Sequence, residues 1–166
     1  MKESNFMEVT FKALSVNESF ARVCVAGFCL QMNPTLDELG DIKTAVSEAV
    51  TNSVVHAYPG KNKGMITMRC EIIEDEIKIT IKDFGVGIKD IEKAREPFFT
   101  TKPGEERSGM GFAVMESFMD SIEVYPNEGS GIVVVLVKQI GKNNLQVGNA
   151  WQWENKRFSR EGETRR

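Results

Sequence analysis

The stretch Glu48-Ala49-Val50-Thr51-Asn52-Ser53-Val54-Val55-His56 organises the interpretation of this chain. Glu48, Asn52 and His56 recur every fourth residue, so a helix brings them together along one face. Beside them runs an apolar stripe at helical spacing, formed by Leu39, Ile42, Val46, Ala49, Val50 and the small Ser53. An acid and a carboxamide at the edge of a buried stripe need a polar partner. A hydrated metal ion with a polyphosphate would be such a partner, and the alternative is that both side chains face solvent.

Composition restricts the classes of protein to be considered. A chain of 166 residues with 41% hydrophobic and 27% charged residues fits one globular domain with a core. The net charge of −3 gives no sign of a direct nucleic-acid-binding surface. No apolar run reaches membrane-spanning length, and the N-terminus lacks the apolar core of a signal peptide. We therefore expect a cytoplasmic protein that does not bind a membrane.

Cysteine and histidine are too few for several kinds of site. Cys24, Cys29 and Cys70 are an odd number and form no Cys-x-x-Cys pair, which favours reduced, buried thiols over a disulfide framework or a zinc site. With His56 as the single histidine, a histidine-rich metal site and a histidine-based triad have little support.

The first half of the chain predicts a strand and two helices. Residues 7–14 alternate as a strand, and the capping-box pattern from Ser15 to Glu18 then starts a helix that runs to about residue 32. The same pattern from Thr35 to Glu38 opens the long helix that carries Glu48, and residues 58–60 close it.

An antiparallel hairpin follows, and it places an acid on a buried face. Apolar residues alternate over 66–72 and 77–81, with a turn at residues 74–75. Continued from Ile81, the alternation puts Asp83 on the buried face, and Gly85 and Gly87 come next. The functional interpretation is an acid in a pocket wall that accepts a hydrogen bond from a ligand, with glycines clearing space for it. The alternative is an acid that ends a strand before a glycine turn.

After a short helix near residues 90–94, the segment 97–108 lacks periodicity and predicts a mobile loop. Gly109-Met110-Gly111-Phe112 then starts a helix that runs to about residue 119, where backbone N–H groups can approach an anion. A tight turn is the alternative for this Gly-x-Gly. Two further strands, 122–125 and 132–137, are joined by a hairpin turn, and the aliphatic second strand is typical of the centre of a sheet.

The pattern ends after Gly141, and we predict a domain over residues 1–142 and a polar, disordered tail over 143–166. The tail holds five basic groups against three acids. Trp151 and Trp153 are a candidate docking motif within it, and weak packing is the alternative.

The order of four motifs resembles the GHKL (Bergerat) ATP-binding fold of gyrase, histidine kinases and MutL. These are Glu-x-x-x-Asn on a helix, Asp-x-Gly-x-Gly after a strand, a Thr-Thr-Lys loop and Gly-x-Gly at a helix start. The resemblance is closer still to the anti-sigma-factor serine kinases, in the stretches 15–22, 47–58, 97–103 and 107–112. It implies an α+β two-layer sandwich, with a mixed or antiparallel sheet and helices on one face.

The resemblance also implies a role for each matching residue. Glu48 would be the catalytic base towards a substrate serine, Asn52 would bind Mg²⁺, and Asp83 would accept the adenine amino group. Gly85 and Gly87 would shape the base pocket. The other nucleotide-binding positions that it implies are Thr100, Thr101, Lys102, Arg107, Ser108, Gly109, Met110, Gly111 and Ser130. Ser130 stands where relatives often carry threonine, and it keeps the hydroxyl.

As a whole, the resemblance implies a homodimeric serine/threonine kinase that uses ATP, with ADP as product, and Mg²⁺. It would bind and inhibit a sporulation RNA polymerase sigma factor of the sigma-F type and phosphorylate a serine on an anti-anti-sigma protein. Arg22 would contact a partner, and a solvated arginine on a helix face is the alternative.

Other interpretations of the motifs are weaker or excluded. Asp83-Phe84-Gly85 matches the Asp-Phe-Gly of protein kinases, but the other kinase motifs and a P-loop are absent from the sequence. A histidine kinase would need a phosphoacceptor histidine, and His56 lies in the site helix itself. An ATP-gated binding module without phosphoryl transfer remains, although a pure binder has no need of a base at Glu48.

Overall fold

Five strands and four α-helices form the part of the chain that the computed structural model describes, which comprises residues 5–60, 64–95 and 110–141. The strands are β1 (Asn5–Lys12), β2 (Met65–Ile73), β3 (Glu76–Asp83), β4 (Ser121–Pro126) and β5 (Ile132–Gln139). The helices are α1 (Val16–Cys29), α2 (Leu36–Asn52), α3 (Ile91–Arg95) and α4 (Gly111–Phe118). A 3₁₀ turn, Leu30–Met32, extends α1, and a π-helical turn, Ser53–Ala57, extends α2.

The strands form one antiparallel sheet in the order β1-β2-β3-β5-β4, with helices packed on one face. The side chains of the covered face are fully buried and come from alternate positions, as the sequence predicts: Ile66, Met68, Cys70, Ile77, Ile79 and Leu136. The strand β5 lies between β3 and β4 and is buried from Ile132 to Leu136, which confirms it as an interior strand. The predicted α+β two-layer fold is confirmed, and its sheet is antiparallel.

Helix α2 begins with the predicted capping box and buries the predicted stripe. The backbone N–H of Glu38 donates to Thr35 Oγ1 at 3.1 Å, and the backbone N–H of Thr35 donates to Glu38 Oε2 at 2.8 Å. Ile42, Val46 and Ala49 are completely buried. The helix does not continue in α-helical form to residue 57, because its last turn widens into the π turn.

The same capping pattern at Ser15 is a wrong prediction. Ser15 has helical backbone angles, and its side chain makes no capping hydrogen bond. Glu18 instead accepts a hydrogen bond from the Ser47 hydroxyl on α2 at 2.5 Å and pairs with Arg22. A tertiary contact therefore takes the carboxylate that the local pattern assigns to the cap.

Strand β1 begins and ends two residues earlier than predicted. Its last pair is Lys12 with Met65, because β2 begins at Met65 and offers no further partner. The backbone N–H of Ala13 then donates to the carbonyl of Gly64 at 2.9 Å as the chain turns away.

The three cysteines are free, as predicted, although Cys24 is only half-buried. Burial raises the pKa of Cys29 to about 11 and that of Cys70 to about 12, so both thiols stay protonated at neutral pH. None of the helices in the described ranges is long and apolar enough to cross a membrane. The predicted loop 97–108, the tail 143–166 and its two tryptophans lie outside the described residues.

Candidate functional site

Asp83 ends strand β3 inside the protein, with 1% of its surface exposed, as the alternation predicts. Its Oδ1 accepts hydrogen bonds from the backbone N–H groups of Gly85 at 3.1 Å and Ile132 at 3.2 Å. Its Oδ2 accepts one from the Ser53 hydroxyl at 3.1 Å. Burial raises the pKa of Asp83, and these three hydrogen bonds offset that rise only in part. The site thus holds a buried carboxylate that is stabilised by neutral donors.

Two glycines allow the backbone to approach closely around Asp83. A Cβ added to Gly85 would overlap the backbone carbonyl of Ala57. Gly131 has a φ of +90°, and a Cβ there would overlap the backbone carbonyl of Asp83. The end of α2, the loop after β3 and the turn before β5 therefore meet at van der Waals distance. Gly87, with a φ of +73°, faces Gly131 across this junction. Its role and that of Gly85 beside a ligand stay predictions.

Glu48 and Asn52 lie together at the start of helix α4. A Cβ added to Gly111, the first residue of α4, would lie 3.1 Å from Glu48 Oε2 and 3.2 Å from Asn52 Nδ2. Both side chains are half-buried, and Met110 precedes the helix as its N-cap. The N-terminus of an α-helix carries roughly half a positive charge and free N–H groups, which favour an anion. The glycine thus leaves room where an acid, an amide and a helix N-terminus converge.

This end of the site suits Mg²⁺ held together with a phosphate chain. Asn52 and Glu48 offer oxygen ligands, which Mg²⁺ prefers, and the missing Cβ of Gly111 leaves space beside them. The described residues contain no group of three or more His, Cys, Asp or Glu side chains suited to a metal. That agrees with the habit of Mg²⁺ of taking one or two protein ligands and completing its shell with water and phosphate oxygens.

Ser130 lies beside the loop that follows Asp83. Its hydroxyl donates to the carbonyl oxygen of Gly85 and lies 3.4 Å from that of Phe84. The predicted position near the pocket is therefore consistent with the structure, while its contact with a nucleotide stays a prediction.

Sequence reasoning missed two residues that reach the same loop. The backbone N–H of Phe84 donates to the Tyr58 hydroxyl at 2.8 Å, and the Asn127 side-chain amide donates to the backbone carbonyl of Asp83 at 2.9 Å. The sequence presented Tyr58 as a helix terminator and Asn127 as a turn residue, and neither pattern carries a signal for these contacts. Ser53 did carry one, because it is the only polar member of the buried stripe.

The structure places Arg22 on helix α1, away from the β3 loop in sequence, with its side chain 42% exposed. Its Nε lies 2.9 Å from Glu18 Oε1, close enough for an ion pair, but without the geometry of a hydrogen bond. Its role in partner binding stays a prediction. The predicted lid residues Thr100, Thr101, Lys102, Arg107, Ser108 and Gly109 lie outside the described residues.

The arrangement as a whole has two ends joined by the last turns of α2. One end offers a buried hydrogen-bond acceptor at Asp83, suited to an amino group of a base. The other offers Glu48, Asn52 and a helix N-terminus, suited to a phosphate chain with a metal ion. An elongated ligand with a base and a polyphosphate would match both.

Comparison with known proteins agrees with this arrangement. A family model described as Histidine kinase-like ATPase domain matches residues 13–138. The chain is 52% identical over 139 residues to the protein named anti-sigma F factor of Oceanobacillus iheyensis, covering 84% of this chain and 95% of the relative. It is 52% identical over 143 residues to the anti-sigma F factor of Caldanaerobacter subterraneus subsp. tengcongensis, covering 86% and 99%.

Solved structures support the fold alone. The RsbU and RsbW domains of Rv1364c from Mycobacterium tuberculosis match with a TM-score of 0.60 at 17% identity, over 82% of this chain and 32% of that one. The catalytic domain of the histidine kinase ThkA matches with a TM-score of 0.52 at 19% identity, over 82% and 98%. Because the family model and the close relatives each cover most of the chain, the chain belongs to the histidine kinase-like ATPase domain family and, within it, to the anti-sigma F factor family.

Proposed function

We propose that this chain binds and inhibits a sporulation RNA polymerase sigma factor of the sigma-F type and phosphorylates a serine on its anti-anti-sigma antagonist, using Mg·ATP. The names of the relatives support the sigma-factor partner. The observation that carries the kinase half is the meeting of Glu48 and Asn52 at the N-terminus of α4. Such an activity belongs in the cytoplasm, where RNA polymerase works.

The base of ATP or ADP would bind at Asp83. A carboxylate oxygen can accept two hydrogen bonds, and among the described donors Oδ2 accepts only that of Ser53. A lone pair therefore remains for the 6-amino group of adenine. Gly85, Gly87 and Ser130 would lie around the base, in agreement with their positions near the same loop.

The phosphate chain would lie between Asn52 and the start of α4. Asn52 would hold Mg²⁺, which when bound neutralises charge on the phosphates. The N–H groups at Met110 and Gly111 would bind phosphate oxygens, as helix N-termini do. The lid residues Thr100, Thr101, Lys102, Arg107, Ser108 and Gly109 would complete this end, and their role rests on the motif match alone.

Glu48 would accept the proton of the substrate serine. Phosphoryl transfer needs positioning and charge stabilisation more than covalent help, so one base beside the phosphate end suffices. Glu48 lies one helical turn before Asn52, roughly 6 Å along the axis, which is a distance from which it can face an incoming hydroxyl.

We also propose that the chain forms a homodimer and that Arg22 contacts a partner. Helix α1 exposes Val16, Phe20 and Val23, with 74%, 48% and 71% of their surfaces accessible, and apolar surface of this kind is typical of protein interfaces. Strand β1 pairs only with β2 among the described strands. Sedimentation equilibrium of the full chain should give twice the monomer mass of 18.6 kDa. A single species at the monomer mass would contradict the dimer.

The kinase activity is tested with ATP labelled at the γ-phosphate and a purified candidate anti-anti-sigma protein. We expect label on a serine of that protein with the wild type and with Glu123→Gln, a control on the exposed face of β4. We expect at least about a hundredfold less transfer with Glu48→Gln, and ATP binding within about threefold of the wild type, since general-base catalysis contributes about 10²–10⁴-fold. Equal transfer by Glu48→Gln would contradict the base assignment. Binding of ATP without transfer by the wild type would favour an ATP-gated binding module.

A further inference from the structure

The loop that follows Asp83 is held by hydrogen bonds on two sides. On one side, the backbone N–H of Phe84 donates to the Tyr58 hydroxyl at 2.8 Å, and that of Val86 donates to the carbonyl of Ala57 at 2.9 Å. On the other side, the Asn127 amide donates to the backbone carbonyl of Asp83 at 2.9 Å. The backbone that carries the Asp83 carboxylate is therefore fixed by the end of α2 and by the β4–β5 turn.

Tyr58 acts as both acceptor and donor in this arrangement. Its hydroxyl accepts from Phe84 and donates to the carbonyl of Met65 at 2.5 Å, which only a protonated phenol can do. Burial raises the pKa of Tyr58, so the phenol stays protonated at neutral pH. Its ring packs so closely on Gly64 that a Cβ at that position would overlap the ring. The position of the hydroxyl is thus fixed by the first residues of β2.

Asn127 is fixed in a comparable way by the turn that it begins. Its backbone N–H donates to the carbonyl of Gly131 at 3.0 Å, which closes the turn between β4 and β5. Gly131 in turn lies against the backbone of Asp83, and the next residue, Ile132, donates to the Asp83 carboxylate. The side-chain amide of Asn127 therefore adds a direct bond between a rigid turn and the backbone of the acid.

We propose that Tyr58 and Asn127 are positioning residues that set selectivity for adenine, by holding the Asp83 carboxylate where it accepts the 6-amino group. The inference rests on the proposed nucleotide site and adds two residues to it. Hydrogen bonds weaken steeply when their distance or angle changes, so a small displacement of Asp83 reduces recognition of the amino group in particular. Contacts with the phosphate chain lie at the other end of the site and do not depend on these two side chains.

The test compares two nucleotides on the full-length protein by isothermal titration calorimetry with Mg²⁺. ATP carries the 6-amino group, and purine riboside 5′-triphosphate lacks it but is otherwise the same. We expect the wild type to bind ATP at least about tenfold more tightly, because a hydrogen bond to a charged group is worth that much or more. The ratio of the two dissociation constants measures recognition of the amino group separately from overall folding.

The variants are Tyr58→Phe, which keeps the ring and removes the hydroxyl, and Asn127→Ala. In each we expect the ratio to fall at least about threefold, through weaker binding of ATP and little change for the analogue, because a displaced acceptor forms a weaker hydrogen bond. The matched control is Tyr125→Phe, which alters the other tyrosine of the chain. Tyr125 is 44% exposed and pairs with Val133 on the sheet face opposite Asp83, so we expect its ratio to equal that of the wild type.

Two results would overturn the inference while leaving the nucleotide site intact. An unchanged ratio in both variants would show that neither side chain positions Asp83. Equal weakening of both nucleotides would show a general structural effect. A wild type that binds neither nucleotide would instead contradict the proposed function, and the inference with it.

Discussion

Glu38 and Asp83 are the two carboxylates buried in the described part of the chain, with 4% and 1% of their surfaces exposed, and burial affects them in opposite ways. Burial alone raises the pKa of Glu38, but backbone hydrogen bonds from Thr35 and Gly141, the Thr35 hydroxyl and the charge of Lys138 outweigh it and lower the pKa. At Asp83, burial prevails and the pKa is raised.

The difference lies in what surrounds each acid. Glu38 closes the capping box of α2 with one oxygen and accepts the backbone N–H of Gly141 at 2.8 Å with the other. Its negative charge is used by the fold. Asp83 receives neutral donors, and no described cation is among the causes of its pKa shift. A buried acid that costs the fold stability and is nevertheless present is what a ligand-recognition role requires.

The largest effect that would test this contrast is expected from Asp83→Asn. An asparagine side chain at this position can still accept from Gly85 and Ile132 through Oδ1, and its amide can donate to Ser53, so the internal hydrogen bonds survive. We expect the free energy of unfolding to stay within about 1 kcal/mol, because no buried group loses its partner. ATP affinity should fall about 10–100-fold, since an amide N–H₂ cannot accept a hydrogen bond from the 6-amino group. Urea unfolding and calorimetry measure the two, and unchanged ATP affinity would contradict the recognition role.

Glu38→Gln should give the reverse pattern. Both oxygens of Glu38 accept backbone N–H groups, and glutamine offers only one acceptor, so one N–H is left facing an amide donor. We expect a loss of about 1–2 kcal/mol in the free energy of unfolding and ATP affinity within about twofold of the wild type. Glu123→Gln, on the exposed face of β4, is the control in urea unfolding. A loss of ATP affinity in Glu38→Gln without a loss of stability would break the comparison.

The smallest effect is expected in the pH dependence of stability, where the two acids have opposite signs. Because the folded-state pKa of Glu38 is lowered, its stabilising contribution is present above its unfolded pKa and is lost as the pH falls through the folded pKa. Because the folded-state pKa of Asp83 is raised, the folded state holds that proton more tightly, and its contribution falls as the pH rises above the ordinary aspartate pKa of about 4.

Urea unfolding of the wild type, Asp83→Asn and Glu38→Gln across this pH range measures both signs. The stability of the wild type relative to Asp83→Asn should decrease as the pH rises from about 4, and its stability relative to Glu38→Gln should decrease as the pH falls below about 4. The same direction for both differences would contradict the contrast.

Much of the fold and the site could be predicted because the relevant signals are local. The alternation of β3 is a two-residue period, so it carries the burial of Asp83 without knowledge of any other segment. The spacing of Glu48 and Asn52 likewise follows from one helix, and Gly111 was marked by its own motif.

What could not be predicted depends on contacts between distant segments. The patterns at Ser15 and Thr35 are alike, but only Thr35 forms a capping box, because Ser47, 29 residues away, binds Glu18. Tyr58 and Asn127 reach the Asp83 loop through contacts 26 and 44 residues apart in sequence. No local pattern specifies such partners.

The π-helical turn at Ser53–Ala57 has a consequence for insertions and deletions. Such a turn amounts to one residue added to an ordinary α-helix, and each residue advances a helix by about 100°. Removing one residue from this turn would restore a regular helix and rotate everything after it by that angle, while Glu48 and Asn52 kept their places. The phosphate end and the base end of the site would then be out of phase, although every side chain named at either end was still present. The length of this turn, as well as its composition, is therefore under constraint.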